Sequence, residues 1–121
     1  MYTVITYKDD KGKDEIADLI QDLNSKMATS KDARIRYKKI MEYIGQLKTY
    51  GVSAGKPAIE HIVGTNLWEL RPTRDRIFFA YWKGNVFILL HHFTKKTQKT
   101  PPQEIKQAER NFKDFIDRYG E

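Results

Sequence analysis

Residues Leu67–Pro102 read LWELRPTRDRIFFAYWKGNVFILLHHFTKKTQKTPP, and the fold turns on how this stretch divides. In Leu67–Arg71 the alternation puts Trp68 and Leu70 on one face and Glu69 and Arg71 on the other, the period of a strand. Arg76–Trp82 and Val86–Phe93 are nearly all apolar, and Lys83-Gly84-Asn85 between them has the composition of a hairpin turn. Three neighbouring strands are therefore predicted, with Val86–Phe93 as the central, most buried one. If Ile77, Phe79 and Tyr81 share a face with Trp68 and Leu70, then Arg76 projects the same way as Arg71. Two guanidiniums then converge on the open face of the sheet.

On the C-terminal side, Thr100-Pro101-Pro102-Gln103 predicts a helix start, with Thr100 as N-cap, Pro101 at the first helical position and Gln103 completing a capping box. Ile105, Ala108, Phe112, Phe115, Ile116 and Tyr119 form its apolar stripe, and Gly120 closes it. On the N-terminal side, Gly51–Gly64 reads as a loop with a short strand around Ile59–Val63. Before it, Tyr37, Ile40, Met41, Ile44 and Leu47 lie on one stripe of a helix capped by Thr29 or Ser30 and ended by Gly51. Ile16, Leu19, Ile20, Leu23 and Met27 give another helix, so close that the two must form an antiparallel hairpin. Tyr2–Tyr7 alternates like a strand and Lys8–Lys13 turns. The order β-α-α-β-β-β-α defines an α+β domain: an antiparallel sheet with the N-terminal helical hairpin on one face and the C-terminal helix packed near its end. Residues 1–121 form one domain.

A chain of 121 residues, 40% hydrophobic and 31% charged, is long enough for its own core. It has no cysteine, which excludes disulfides, thiolate zinc sites and cysteine nucleophiles and fits a reducing compartment. The start MYTVITYKDD has no basic region followed by an apolar run, and no segment is apolar enough to span a bilayer. A cytoplasmic location without membrane contact is expected. The net charge of +6 favours an anionic partner, nucleic acid first.

Motifs that depend on strict spacing, such as GxSxG, GxxxxGK[ST] and HExxH, are absent. His91 and His92 are adjacent on a strand and point to opposite faces, so they cannot readily share a metal; neither metal nor cofactor is expected. What remains is metal-free phosphodiester chemistry, in which an RNA 2′-hydroxyl attacks its own phosphate. Arginine suits the phosphate clamp because its planar fork holds two oxygens and stays charged, which singles out Arg71 and Arg76. Lys95, Lys96 and one of His91 or His92 compete for acid and base roles, since neighbouring cations lower a lysine pKa and histidine titrates near neutrality. Arg74, His92, Thr97 and Lys99 are candidate RNA contacts. Each has a bland counterpart: Arg71 as an ion pair with Glu69 or Asp75, the histidines as packed strand residues, Lys95–Lys99 as a solvated turn. The run Lys31, Arg34, Arg36, Lys38 and Lys39 reads as a solvated helix face, because Asp32 and Glu42 interleave with it.

LWELR at Leu67–Arg71, RIFF at Arg76–Phe79, LLHHF at Leu89–Phe93 and FTKKTQKTP at Phe93–Pro101, followed by the helix EIKQA, together resemble the HigB branch of the RelE/ParE toxin superfamily. The resemblance covers the second half of the chain, and the helical hairpin before it agrees in layout. It implies a small microbial-RNase-like α+β domain that cuts messenger RNA on the ribosome and is neutralised by a HigA-like helix-turn-helix antitoxin. The two would form a hetero-oligomer that meets operator DNA only through the antitoxin. It also implies that Arg71, Arg76, Lys95 and Lys96 are the functional residues. Relatives often carry glycine where this chain has His92, so His91 is the family-like histidine. ParE toxins keep the fold while inhibiting DNA gyrase, which leaves gyrase inhibition, and a non-catalytic basic RNA-binding module, as alternatives.

Overall fold

The computed structural model describes every residue from Met1 to Glu121. Strand β1 (Thr3–Thr6) leads into helices α1 (Glu15–Ser25) and α2 (Lys31–Tyr50). After a 3-10 turn at Gly51–Ala54 come β2 (Ile59–His61), β3 (Leu67–Leu70), β4 (Asp75–Tyr81), β5 (Val86–Thr94) and helix α3 (Pro102–Tyr119). The α+β order is the one expected, with the short strand in the Gly51–Gly64 loop present as β2.

The helix starts follow from local chemistry. Asp14 accepts from the Ala17 N–H at 2.9 Å and Ser30 from the Ala33 N–H at 3.1 Å, each satisfying a donor that the first turn leaves open. Helix α2 stops at Gly51, where φ is +61° and a Cβ would sit 2.7 Å from the Tyr2 ring. Only glycine meets both conditions. Helix α3 departs from expectation. Thr100 is not its cap: Pro101 holds that position without a side-chain bond, and the Thr100 hydroxyl donates instead to Glu69 at 3.1 Å. Pro101 and Pro102 open the helix without N–H groups, so fewer donors are left there for a side-chain cap.

The five strands lie in the order β1-β5-β4-β3-β2. β2, β3, β4 and β5 are successively antiparallel, while β1 runs parallel to β5 along the opposite edge. The middle strand is thus β4, not Val86–Phe93, because β5 has only the short β1 beyond it. Alternation along β4 divides the core. Ile77 and Phe79 join Leu70, Phe87 and Leu89 under the α1–α2 hairpin, whose Ile16, Leu23, Ile40, Ile44 and Leu47 face them. Phe78 and Ala80 join Leu67, Ile88 and Leu90 under Ala108 and Phe115 of α3. The terminal helix therefore covers the second face, expected to be open, rather than packing near the sheet's end. Both halves are dry: Ile77, Phe78, Phe79 and Ile88 are fully buried, and each such side chain contributes roughly 1.5–3 kcal/mol of transfer free energy.

A bulge interrupts the β4–β5 ladder. Phe78 pairs with His91 but Phe79 with Leu89, leaving Leu90 as the extra residue. Leu90 and His91 consequently both lie on the α3 side, and His92 on the hairpin side.

Candidate functional site

Leu70 pairs with Ile77, so the next rung brings Arg71 and Arg76 side by side where β3 leaves and β4 enters the sheet. The Arg71 backbone is fixed by its N–H donating to the Ala58 carbonyl at 2.9 Å. Its guanidinium donates to Glu60 and stands 3.5 Å from Glu69. Arg76 is held differently: one terminal nitrogen donates to the carbonyls of Thr73 at 2.8 Å and Asp75 at 2.9 Å, and its buried Nε has no partner. No carboxylate lies within ion-pair distance of Arg76 among the pairs around it. Burial, and then the charge of Arg71, lower the Arg76 pKa against the opposing pull of Glu69 and Asp75. Two like charges held together in a half-buried site repel, and an anion shared between them removes that repulsion.

Lys95 joins the pair from β5. Its N–H donates to the Arg74 carbonyl at 2.8 Å, which fastens the start of the Lys95–Lys99 segment to the β3–β4 turn. Its charge reaches Glu60, whose pKa lies below the usual range chiefly because of the hydrogen bond from Lys56, with Arg71, Lys56 and Lys95 adding to it. Lys96, Thr97 and Lys99 are exposed beyond it, the Thr97 hydroxyl donating to the Lys99 carbonyl at 2.9 Å. The structure therefore brings Arg71, Arg76 and Lys95 together, with Lys96, Thr97 and Lys99 on the adjoining turn.

Arg74 and the two histidines lie elsewhere. Arg74 turns toward α2 and grips Asp32 with both terminal nitrogens at 2.9 and 2.8 Å. His91 is wedged between helices: Nδ1 is 2.8 Å from Glu15 on α1 and Nε2 is 3.0 Å from Glu104 on α3, with the ring parallel to Phe78. Burial opposes its charged form, yet the hydrogen bonds and charges of the two carboxylates outweigh that and raise its pKa. His92 faces the hairpin side, where burial, the largest influence, and the charges of His91 and Arg36 lower its pKa. Both rings are therefore engaged in the packing of helices on the sheet. The packed-residue reading fits their surroundings, and neither touches the arginine pair.

The Arg71–Glu69 pair matches the ion-pair reading of Arg71, while several other contacts at the site carried no mark in the sequence. Arg36, read as part of a solvated face, instead binds both oxygens of Asp75 at 2.9 and 2.7 Å, and Asp75 is wholly buried. Glu69, 2% exposed, lies under Arg71 and takes the Thr100 hydroxyl. Glu60 pairs with Glu69 across β2 and β3, so both carboxylates face the arginines. The alternation of β2 shows Glu60 only once its register with β3 is known.

A mixed sheet with a helical hairpin on one face and a terminal helix on the other is a RelE-like α+β architecture. Residues 26–113 match the family of phage-derived Gp49-like proteins (DUF891), and the chain belongs to that family. The family is toxin-like, within the RelE superfamily, and is associated with toxin–antitoxin systems. No curated protein matches the chain. No helix is long and apolar enough to cross a membrane.

Proposed function

We propose that this protein is the HigB-like toxin of a type II toxin–antitoxin pair, a metal-independent endoribonuclease that cuts messenger RNA on the ribosome and is silenced by a helix-turn-helix antitoxin. The observation that carries the reading is the adjacency of Arg71 and Arg76, with Arg76 in no ion pair and its charge opposed by that of Arg71. An RNA phosphate held by the outer nitrogens of the two guanidiniums relieves the repulsion of two neighbouring cations. As the 2′-oxygen attacks, charge grows on the nonbridging oxygens, and donors already fixed in place stabilise it without reorganising. Lys95, fastened to the Arg74 carbonyl beside the pair, supplies the proton for the departing 5′-oxygen in this reading, a step that contributes roughly 10²–10⁴-fold. The exposed Lys96 and Lys99 extend the positive surface along the backbone.

The test is expression of the chain alone, followed by mapping of message ends and a supercoiling assay with the purified protein. Growth arrest with in-frame cuts in translated messages, abolished in Arg71→Ala and Arg76→Ala, is the expected result. Arrest with intact messages and inhibited supercoiling would replace the nuclease with a gyrase inhibitor on the same fold. Salt-dependent RNA binding with no arrest would leave a binding module.

A further inference from the structure

We infer that Glu60 is the general base that takes the proton from the attacking 2′-hydroxyl. The inference rests on the nuclease reading above and assigns a role within it. Geometry eliminates the three histidines and Glu69 for that proton, and the pH profile below separates Glu60 from a lysine base. His91 has a carboxylate on each ring nitrogen, and His92 lies across the sheet on the hairpin side. His61 directs Nε2 to the Thr65 carbonyl at 2.9 Å and rests on Trp68, the face of β2 opposite to Glu60. Glu69 is 2% exposed, too deep to meet a ribose.

Glu60 is the carboxylate left at the surface of the cluster. Its side chain is 36% exposed; one oxygen accepts from Arg71 and the other lies 3.3 Å from Lys56 Nζ. A carboxylate offers about four acceptor directions, so those two contacts leave room for a hydroxyl. The position is also the right one chemically. A 2′-hydroxyl sits on the ribose whose 3′-oxygen carries the scissile phosphate, so its base must stand beside the phosphate clamp, and Glu60 is bonded to one half of that clamp. The surrounding cations keep it ionised at neutral pH, ready to accept.

The step balances as follows. The Glu60 carboxylate takes the 2′-O–H proton as the O2′–P bond forms, and the P–O5′ bond breaks while the leaving oxygen takes a proton from the Lys95 ammonium. The products are a 2′,3′-cyclic phosphate and a 5′-hydroxyl. Glu60 then releases its proton to water and Lys95 regains one from it.

Single-turnover cleavage of a message in the A site of purified ribosomes, measured from pH 6 to 9, tests the assignment. The wild-type rate should be flat, because the base is already ionised throughout. Glu60→Gln, whose amide oxygen still accepts from Arg71, should bind the programmed ribosome normally but cut about 100-fold more slowly at pH 7. Its rate should climb about tenfold per pH unit as hydroxide takes over the proton. Glu60→Asp, with a carboxylate set back by one carbon, should be slower yet still flat. A Glu60→Gln rate close to wild type, or a wild-type rate that itself rises steadily with pH as a lysine base requires, overturns the assignment while leaving the nuclease intact. A folded wild-type protein that cuts nothing overturns both.

Discussion

The Arg36 guanidinium holds both oxygens of the fully buried Asp75 carboxylate, at 2.9 and 2.7 Å, across 39 residues of chain. Asp75 directly precedes Arg76, and its carbonyl accepts from Arg76, so helix α2 anchors the turn that aims one arginine of the site. Arg74 does the same one residue earlier through Asp32.

Breaking that grip leaves a charge buried without its partner. Arg36→Met should destabilise the fold by about 3–5 kcal/mol, whereas Arg36→Met combined with Asp75→Leu should recover most of the loss. Urea unfolding of the three proteins decides it, and a single variant as stable as wild type would show that the pair holds nothing in place.

The arginines of the site should behave in the opposite way. Arg76→Ala removes a repelled, partly buried cation, so its stability should change by less than about 1 kcal/mol while cleavage falls about 10²–10³-fold. Lys96→Ala should instead weaken message binding modestly, and more so at low salt than at high salt. Paired unfolding and cleavage measurements on both variants separate the two kinds of effect.

His91 makes stability depend on pH with a definite sign. Its pKa in the fold is raised above the ordinary value of about 6.5, so its contribution is complete below that value and is lost as pH rises through the folded pKa. Glu15, whose pKa is lowered by the hydrogen bond from His91 and the His92 N–H despite burial, contributes above the ordinary glutamate value of about 4.3 and loses that as pH falls further. The stability gap between wild type and His91→Gln should therefore be widest between about pH 5 and 6.5 and shrink toward pH 9. Chemical denaturation at three pH values measures it, and a gap that grows with pH contradicts the bridge.

Thr73 adopts a φ of +48°, a conformation that costs a β-branched residue of order 1–2 kcal/mol. Thr73→Gly should raise stability by about 0.5–1 kcal/mol after allowing for the freer unfolded chain. If the strained turn also aims Arg76, whose guanidinium binds the Thr73 carbonyl, the same variant should cut more slowly although it melts higher.

What could be read from residues in order was what depends on neighbours in order. The alternation in Leu67–Arg71, the turn at Lys83–Asn85 and the stripe Ala108–Phe115 each signal an element through a local period, and all three elements are present. The placement of Arg71 beside Arg76 was legible for the same reason, since one tight turn separates them. The partners of His91, Arg36 and Thr100 were not. Glu15, Asp75 and Glu69 reach them from 76, 39 and 31 residues away, and nothing in the local pattern selects one carboxylate over another. The bulge at Leu90 is equally silent in the sequence, and it puts His91 under α3 by breaking the alternation that seemed to orient both histidines.

The parallel pairing of Thr3–Thr6 with Val86–Leu89 sets an order on assembly. The N-terminal strand has no other partner in the sheet, so it must wait, unpaired, through the synthesis of both hairpin helices and four later strands. A nascent chain of this protein thus stays unfinished at its oldest edge until β5 emerges to pair with it.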